Sequence, residues 1–263
     1  MQLTRMQPRF LEKVWGSTRL EPWFESTGAK IGEVWFEGTE SLPVLVKFIF
    51  TTEKLSVQVH PDDDYAARNH NSRGKTEMWH ILAAAPDAQI VAGFREPVSV
   101  ERLRAAAISG EIEDLLEGHP AAPGDTFFLP AGTVHTIGAG LVLCEVQQHS
   151  DLTYRLYDYG RPRELHMDHA LAVTRREPRP VRQTPRGGQL VSCPHFTVVK
   201  TRIEGATVLP PGSGSFELLV VTDGQGSIAG EKVRSGEVWH TPHRSQSLEA
   251  VGDFTLLTVS TEP

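Results

Sequence analysis

The chain has 263 residues and a net charge of −7, with 39% hydrophobic and 22% charged residues. That length supports one large domain or two modest ones with real cores, in the proportions of a soluble globular protein. The acidic balance gives no global attraction to nucleic acid or an anionic membrane, no apolar run approaches the ~20 residues of a membrane span, and two cysteines, Cys144 and Cys193, make no disulfide framework.

Taken in order, the opening MQLTRMQPRF lacks a signal-peptide core, so a cytoplasmic location is expected. Residues 1–40 read as irregular coil with short strands, and tryptophans 15, 23 and 35 are assigned to packing. Residues 42–50 (LPVLVKFIF) form a nearly continuous apolar run with β-branched members, which suits a buried barrel strand. Lys47 within it either snorkels or faces the barrel interior. Residues 56–60 alternate, which puts Ser56, Gln58 and His60 on one face of a strand. Pro61 ends the ladder because it has no N–H to give. An Asp-rich loop is predicted next, and then a second extended run from Lys75 that carries Glu77. An oxygen donor, an imidazole and a carboxylate can then meet, a set that suits zinc or another first-row divalent ion.

Residues 81–92 hold two strand fragments around a turn at Ala85-Pro86-Asp87. Over residues 99–116 the period changes: Ile112, Leu115 and Leu116 lie at i, i+3 and i+4, which predicts one or two short helices broken near Ser109-Gly110. Residues 124–135 (GDTFFLPAGTVH) read G-x5-P-x-G-x2-H: a turn, a strand, a second turn, and His135 emerging into a barrel. Strands are predicted at 141–145, where Cys144 is assigned as a small buried hydrophobe, and at 153–157. Alternation from Asp151 to Tyr157 would put Asp151, Thr153, Arg155 and Tyr157 on one face. On spacing alone Arg155 has two readings. Its guanidinium stabilises developing negative charge or holds a phosphate, or it pairs with Asp151 and only staples the barrel. A short helix is predicted at 168–173.

Residues 174–189 (TRREPRPVRQTPRGGQ) hold five arginines and three prolines and read as a linker. They carry no interleaved aromatics, so nucleic-acid binding is not predicted. Residues 190–263 read as a second small β domain, with 216–228 (FELLVVTDGQGSI) as strand, Asp-Gly turn, strand. Gly236 to Pro242 echoes G-x5-P, but Ser247 stands where a ligand histidine would recur. This half is therefore predicted to carry no metal, with His240 and His243 at the surface.

The G-x5-P-x-G-x2-H spacing matches the second metal-binding motif of the cupin family. The first cupin motif, usually H-x-H-x(3–4)-E, looks altered, because Gln58 stands for the first histidine and the gap from His60 to Glu77 is long. QVHPDDDY, GKTEMW, PAGTVHTIGAG and SDLTYRLYDYGR, in this order, resemble the class I mannose-6-phosphate isomerases in their short bacterial form. The resemblance runs from Pro8 to about Arg161. It implies a mainly β protein with a cupin (jelly-roll β-barrel) catalytic domain over 1–175 and a helical insertion at about 98–118. An Arg/Pro-rich linker at 176–189 and a cupin-like β domain at 190–263 without metal ligands would come after it.

The same resemblance implies one zinc ion per chain, held by Gln58, His60, Glu77 and His135, with Gln58 either a ligand or an orienting neighbour of His60. It places Arg155 on the family's arginine motif, Asp151 on an acidic position proposed for proton transfer or orientation, and Lys75 on a lysine near the substrate. Thr76 stands where the family often has proline, and Phe36-Glu37-Gly38 stands where a serine often comes after GE-x-W. The implied partner is a small sugar phosphate, and the implied reaction is aldose–ketose isomerisation of mannose 6-phosphate and fructose 6-phosphate through an enediol or enediolate. Lys75, Asp151, another carboxylate and a metal-held water all stay open as the base. Two other readings are carried: a cupin oxygenase using ferrous iron, whose two-histidine, one-carboxylate count is met here, and a non-catalytic sugar-binding cupin. Gln58, Lys75 and Arg155 speak against the first, and Lys75 with Arg155 against the second.

Overall fold

Period-two patterning becomes antiparallel sheet through most of the chain. The computed structural model describes residues 3–38, 42–212, 214–242 and 244–261. It is mainly β, with three α-helices among the described residues. His243, predicted at the surface, lies outside the described residues. No helix among them is long and apolar enough to cross a membrane. The chain divides into two compact units. One is made of residues 14–16 and 49–183; the other takes the segment up to Lys13, Ser17–Phe48 and the chain from Thr184 onward.

In the 49–183 unit a five-stranded sheet runs in the order Tyr154–Tyr157, Val57–Val59, His135–Ile137, Gln89–Phe94, Leu116–Pro120. Arg182–Gln183, Thr126–Leu129, Glu77–Ala84 and Leu141–Gln148 lie side by side in another sheet. Leu55, Ile90, Ala92 and Ile137 share one buried cluster with Trp79, Ile81, Phe127, Leu129 and Leu143. Val57, Val59, Tyr154 and Leu156 belong to a different cluster. They pack on Leu103 and Ala106 of the Val100–Ser109 helix and on Ala170 and Leu171 of the Met167–Val173 helix. Alternate residues of a strand point to opposite faces. Gln58 and Arg155 therefore face away from the helices. Each fully buried Leu or Val in these clusters contributes about 1.5–3 kcal/mol.

Three local expectations are corrected. The Asp-rich segment is a helix, Asp63–His70, because Asp62 caps it: its side chain accepts the Tyr65 N–H, and Asp63 and Asp64 sit in the positive first turn. Within the first forty residues Pro8–Ser17 is a ten-residue strand, paired through Pro8–Phe36 and Phe10–Val34 with Ile31–Phe36. Residues 216–228 are one continuous strand. An Asp-Gly hairpin needs its flanks to pair with each other, whereas here both flanks pair with Leu248–Ser260, from Leu218–Val259 to Ile228–Ala250. The register shifts between Val221 and Asp223, and Gly224 takes a φ of 77°. The dipeptide therefore makes a bulge.

The other unit holds three thirteen-residue strands, Thr197–Leu209, Phe216–Ile228 and Leu248–Ser260. Its core is apolar: Ile203, Leu219, Val221, Ile228, Trp239, Phe254 and Leu256 pack together. Lys47, fully within this unit, lies buried with its ammonium 4.3 Å from the Trp35 ring centre, so that tryptophan is a cation platform as well as packing.

Candidate active site

Register builds the first part of the site. Ala92, His135, Gln58 and Arg155 are successive partners across four strands of the five-stranded sheet. Directly opposed residues share a face. This puts His135, Gln58 and Arg155 in one row on the face turned away from the helices. Glu77 begins the Glu77–Ala84 strand and pairs with Gln147 and Leu129. His60 comes directly after the Val57–Val59 strand, where Pro61 stops the ladder. Its carbonyl accepts the Gly132 N–H at 2.8 Å, which ties the two turns together.

His60, Glu77 and His135 are all buried, and one ligating atom from each lies within 4.8 Å of the others. Among the described residues they are the one such group of three metal-ligating side chains. His135 Nε2 is 3.2 Å from Glu77 Oε1, and His60 Nε2 is 3.5 Å from Glu77 Oε2. The far side of each ring is anchored. His60 Nδ1 lies 2.9 Å from the Leu152 carbonyl and His135 Nδ1 2.9 Å from the Thr133 carbonyl. A carbonyl only accepts, so each Nδ1 carries the proton and each Nε2 turns its lone pair to the centre. Burial is the main cause that lowers the His135 pKa to about 4, which keeps that lone pair available.

Lys75 enters the same cluster. Its Nζ is 3.2 Å from His60 Nε2 and 3.3 Å from Glu77 Oε2. The approach is set by Gly74, where a β-carbon would collide with the Asp62 backbone, and by the Lys75 N–H donating to the Pro61 carbonyl at 2.9 Å. Thr76 has its own part: its N–H donates to Gln148 Oε1 and its hydroxyl accepts the Ala131 N–H. Gln58 Nε2 donates toward His135 Nε2 at 3.3 Å. A half-turn of the amide presents the oxygen, the end a cation takes.

The donor set fits a divalent ion. Tetrahedral ligands with ~2.0–2.1 Å bonds stand about 3.3 Å from one another. Each Glu77 oxygen lies near that distance from one imidazole, 3.2 Å for Oε1 to His135 and 3.5 Å for Oε2 to His60, and one atom from each of the three residues lies within 4.8 Å of the others. An ammonium already approaches these atoms, as cation-seeking donors require.

Arg155 is half-buried, and its Nη1 donates to the Glu164 carbonyl at 3.2 Å. Burial, and after it the neighbouring Arg163, lowers its pKa. Asp151 is exposed, ahead of the Tyr154–Tyr157 strand, so the geometry does not bring it into the Arg155 row. A further carboxylate escaped the sequence reading. Glu145 is buried, opposite Trp79, and accepts the Trp79 indole N–H at 2.8 Å, while the Trp79 ring stands 5.2 Å from that of His135. The signal was a glutamate in phase with Leu143 inside an apolar run.

No protein-family model matches the chain. Among curated proteins, it is 34% identical over 279 residues to mannose-6-phosphate isomerase ManA of Bacillus subtilis (strain 168), covering 86% of this chain and 88% of that protein. It is 36% identical over 233 residues to the mannose-6-phosphate isomerase of Streptococcus mutans, covering 82% and 73%. The crystal structure of the mannose 6-phosphate isomerase from Bacillus subtilis superposes with a TM-score of 0.89 at 27% identity, over 98% of this chain and 99% of that one. With this identity over most of its length, and with a buried His/Glu/His group inside a cupin-type β fold, the chain belongs to the mannose-6-phosphate isomerase family.

Proposed function

We propose that this chain interconverts mannose 6-phosphate and fructose 6-phosphate in the cytoplasm, with one zinc ion held by His60, Glu77, His135 and Gln58. The observation that carries the reading is the buried convergence of two anchored imidazoles on the Glu77 carboxylate. When bound, the ion supplies Lewis acidity to the sugar oxygens without redox chemistry.

The side chains supply the rest. A proton must leave C2 and return to C1, so a base has to reach within about 3 Å of it. Lys75 and Glu145 are the buried candidates beside the cluster. Asp151, exposed before its strand, is proposed to orient the sugar. Arg155, in one row with Gln58 and His135, supplies a fixed positive charge to the enediolate oxygen. As an ammonium Lys75 neutralises Glu77, which lowers the cost of burying that carboxylate; to act as the base it must first give up that proton. The 190–263 half is proposed to carry no metal.

The test is a coupled assay with mannose 6-phosphate before chelation, after it, and after zinc return. Turnover that disappears and comes back supports the reading. Metal-replete protein that leaves the sugar phosphate unchanged overturns it, and oxygen uptake with ferrous iron would assign the two-histidine, one-carboxylate set to an oxygenase instead.

A further inference from the structure

Among the described residues the Tyr154–Tyr157 strand is the outer strand of its sheet and pairs on one side only, with Val57–Val59. Arg155 opposes Gln58, and the register shifts directly after it, between Arg155 and Tyr157. An edge residue next to an irregularity has few constraints of its own. Here the free edge is held by residues 164–166. The Arg155 carbonyl accepts the His166 N–H at 2.8 Å, and the Arg155 N–H donates to His166 Nδ1 at 3.2 Å. The Glu164 carbonyl takes the guanidinium Nη1 at 3.2 Å.

His166 also occupies the N-cap of the Met167–Val173 helix, a position whose side chain ordinarily bonds an N–H of the first turn. It makes no such cap bond. Its acceptor nitrogen goes to the Arg155 backbone, and its ring stands 6.1 Å from that of Tyr154.

We infer that His166 is a positioning residue for Arg155: its ring and its backbone together fix the peptide in register with Gln58 from which the guanidinium extends, while the Glu164 carbonyl holds Nη1. The inference rests on the role proposed above for Arg155. An acceptor Nδ1 must be unprotonated. Burial first, and then the Arg155 charge, lowers the His166 pKa, which preserves that form.

The test compares His166→Ala and His166→Asn in zinc-loaded protein, each also in an Arg155→Lys background. The asparagine amide oxygen can take the place of Nδ1. His166→Ala is expected to lower kcat about 10- to 100-fold, the range a small misplacement of a reacting group costs, with zinc content unchanged. KM should move less than about threefold, because the loss falls on the transition state. His166→Asn should restore most of kcat. In the Arg155→Lys background His166→Ala should add less than about twofold, since coupled residues are not additive. Wild-type kcat in His166→Ala alongside an impaired Arg155→Lys overturns this inference alone. Wild-type kcat in Arg155→Lys overturns the reading of Arg155 and this inference with it. A His166→Ala loss that persists in full in the Arg155→Lys background, or that asparagine does not repair, also rejects the positioning role.

Discussion

The chain makes the same turn twice and surrounds it with different side chains. Gly124 and Gly236 both take a left-handed backbone, with φ of 93° and 85°, and each precedes a short strand that leads to a proline. After Pro130, Gly132 turns the chain again at φ 85°, pressed so closely on the Val173 carbonyl that no side chain fits, and His135 enters the next strand buried. After Pro242 the equivalent position is Ser247, which is exposed. Around the first turn the buried set includes His60, Lys75, Glu77, His135, Glu145 and Gln147. Beside the second an apolar cluster that includes Trp239 and Phe254 is joined by buried Glu217, Glu237 and Arg244, in which Arg244 pairs with Glu217 at 2.7 Å, and none of these buried groups is a histidine. The same local turn is thus reused with a different buried set, and what each copy can do depends on which polar residues fill its inward positions. Those positions cost stability, because buried charge must be desolvated, and only a partner such as a cation offsets it.

This contrast can be broken in graded ways. Glu77→Gln should cost the most: metal content by atomic absorption falls, and turnover drops beyond the about 10- to 100-fold that mere supporting residues cost. Retained zinc and turnover would show that Glu77 holds no ion. Arg244→Met tests the other half. It breaks the buried pair with Glu217, 2.7 Å apart, and should destabilise by about 3–5 kcal/mol in urea titrations while zinc stoichiometry stays unchanged. Arg155→Ala should lower kcat about 100- to 1,000-fold with zinc retained, as for loss of one oxyanion-stabilising group.

Acid should act through the first half. Burial lowers the His135 pKa from 6.5 to about 4. Between those values the unfolded chain binds a proton that the folded chain refuses, so chelated protein should lose stability as pH falls through that window. Urea midpoints at stepped pH check this, and a flat profile would show that His135 is not held neutral. The smallest effect is expected from Ser247→His, which restores the missing histidine by sequence alone. Stability should stay within about 0.5 kcal/mol, and equilibrium dialysis should find no additional zinc. A second bound ion would show that the C-terminal half retains a hidden site.

Much of this was legible in the order of residues. The alternation of Ser56 to His60 placed Gln58 and His60 on one face, and G-x5-P-x-G-x2-H placed His135 in a strand after two turns. Both are period or spacing signals, which a short strand preserves. The Asp-rich segment misled because the same side chains favour loops and helix N-caps, and the residues C-terminal to them decide between the two. The Asp-Gly pair misled because a bulge and a hairpin share that dipeptide, and only the partner strand separates them.

Local pattern by itself marked the strands and turns that carry Gln58, His60, Glu77 and His135, because alternation and turn residues are written in residue type and spacing, and the family resemblance singled these four out as candidate ligands. Tertiary pairing decided the rest. It set the row that aligns Arg155 with His135, brought Glu145 beside the site through Trp79, bonded the Arg155 backbone to His166, and left Asp151 exposed and out of that row. These depend on register between strands far apart in the chain, and a shift of one residue would have turned each side chain to the opposite face.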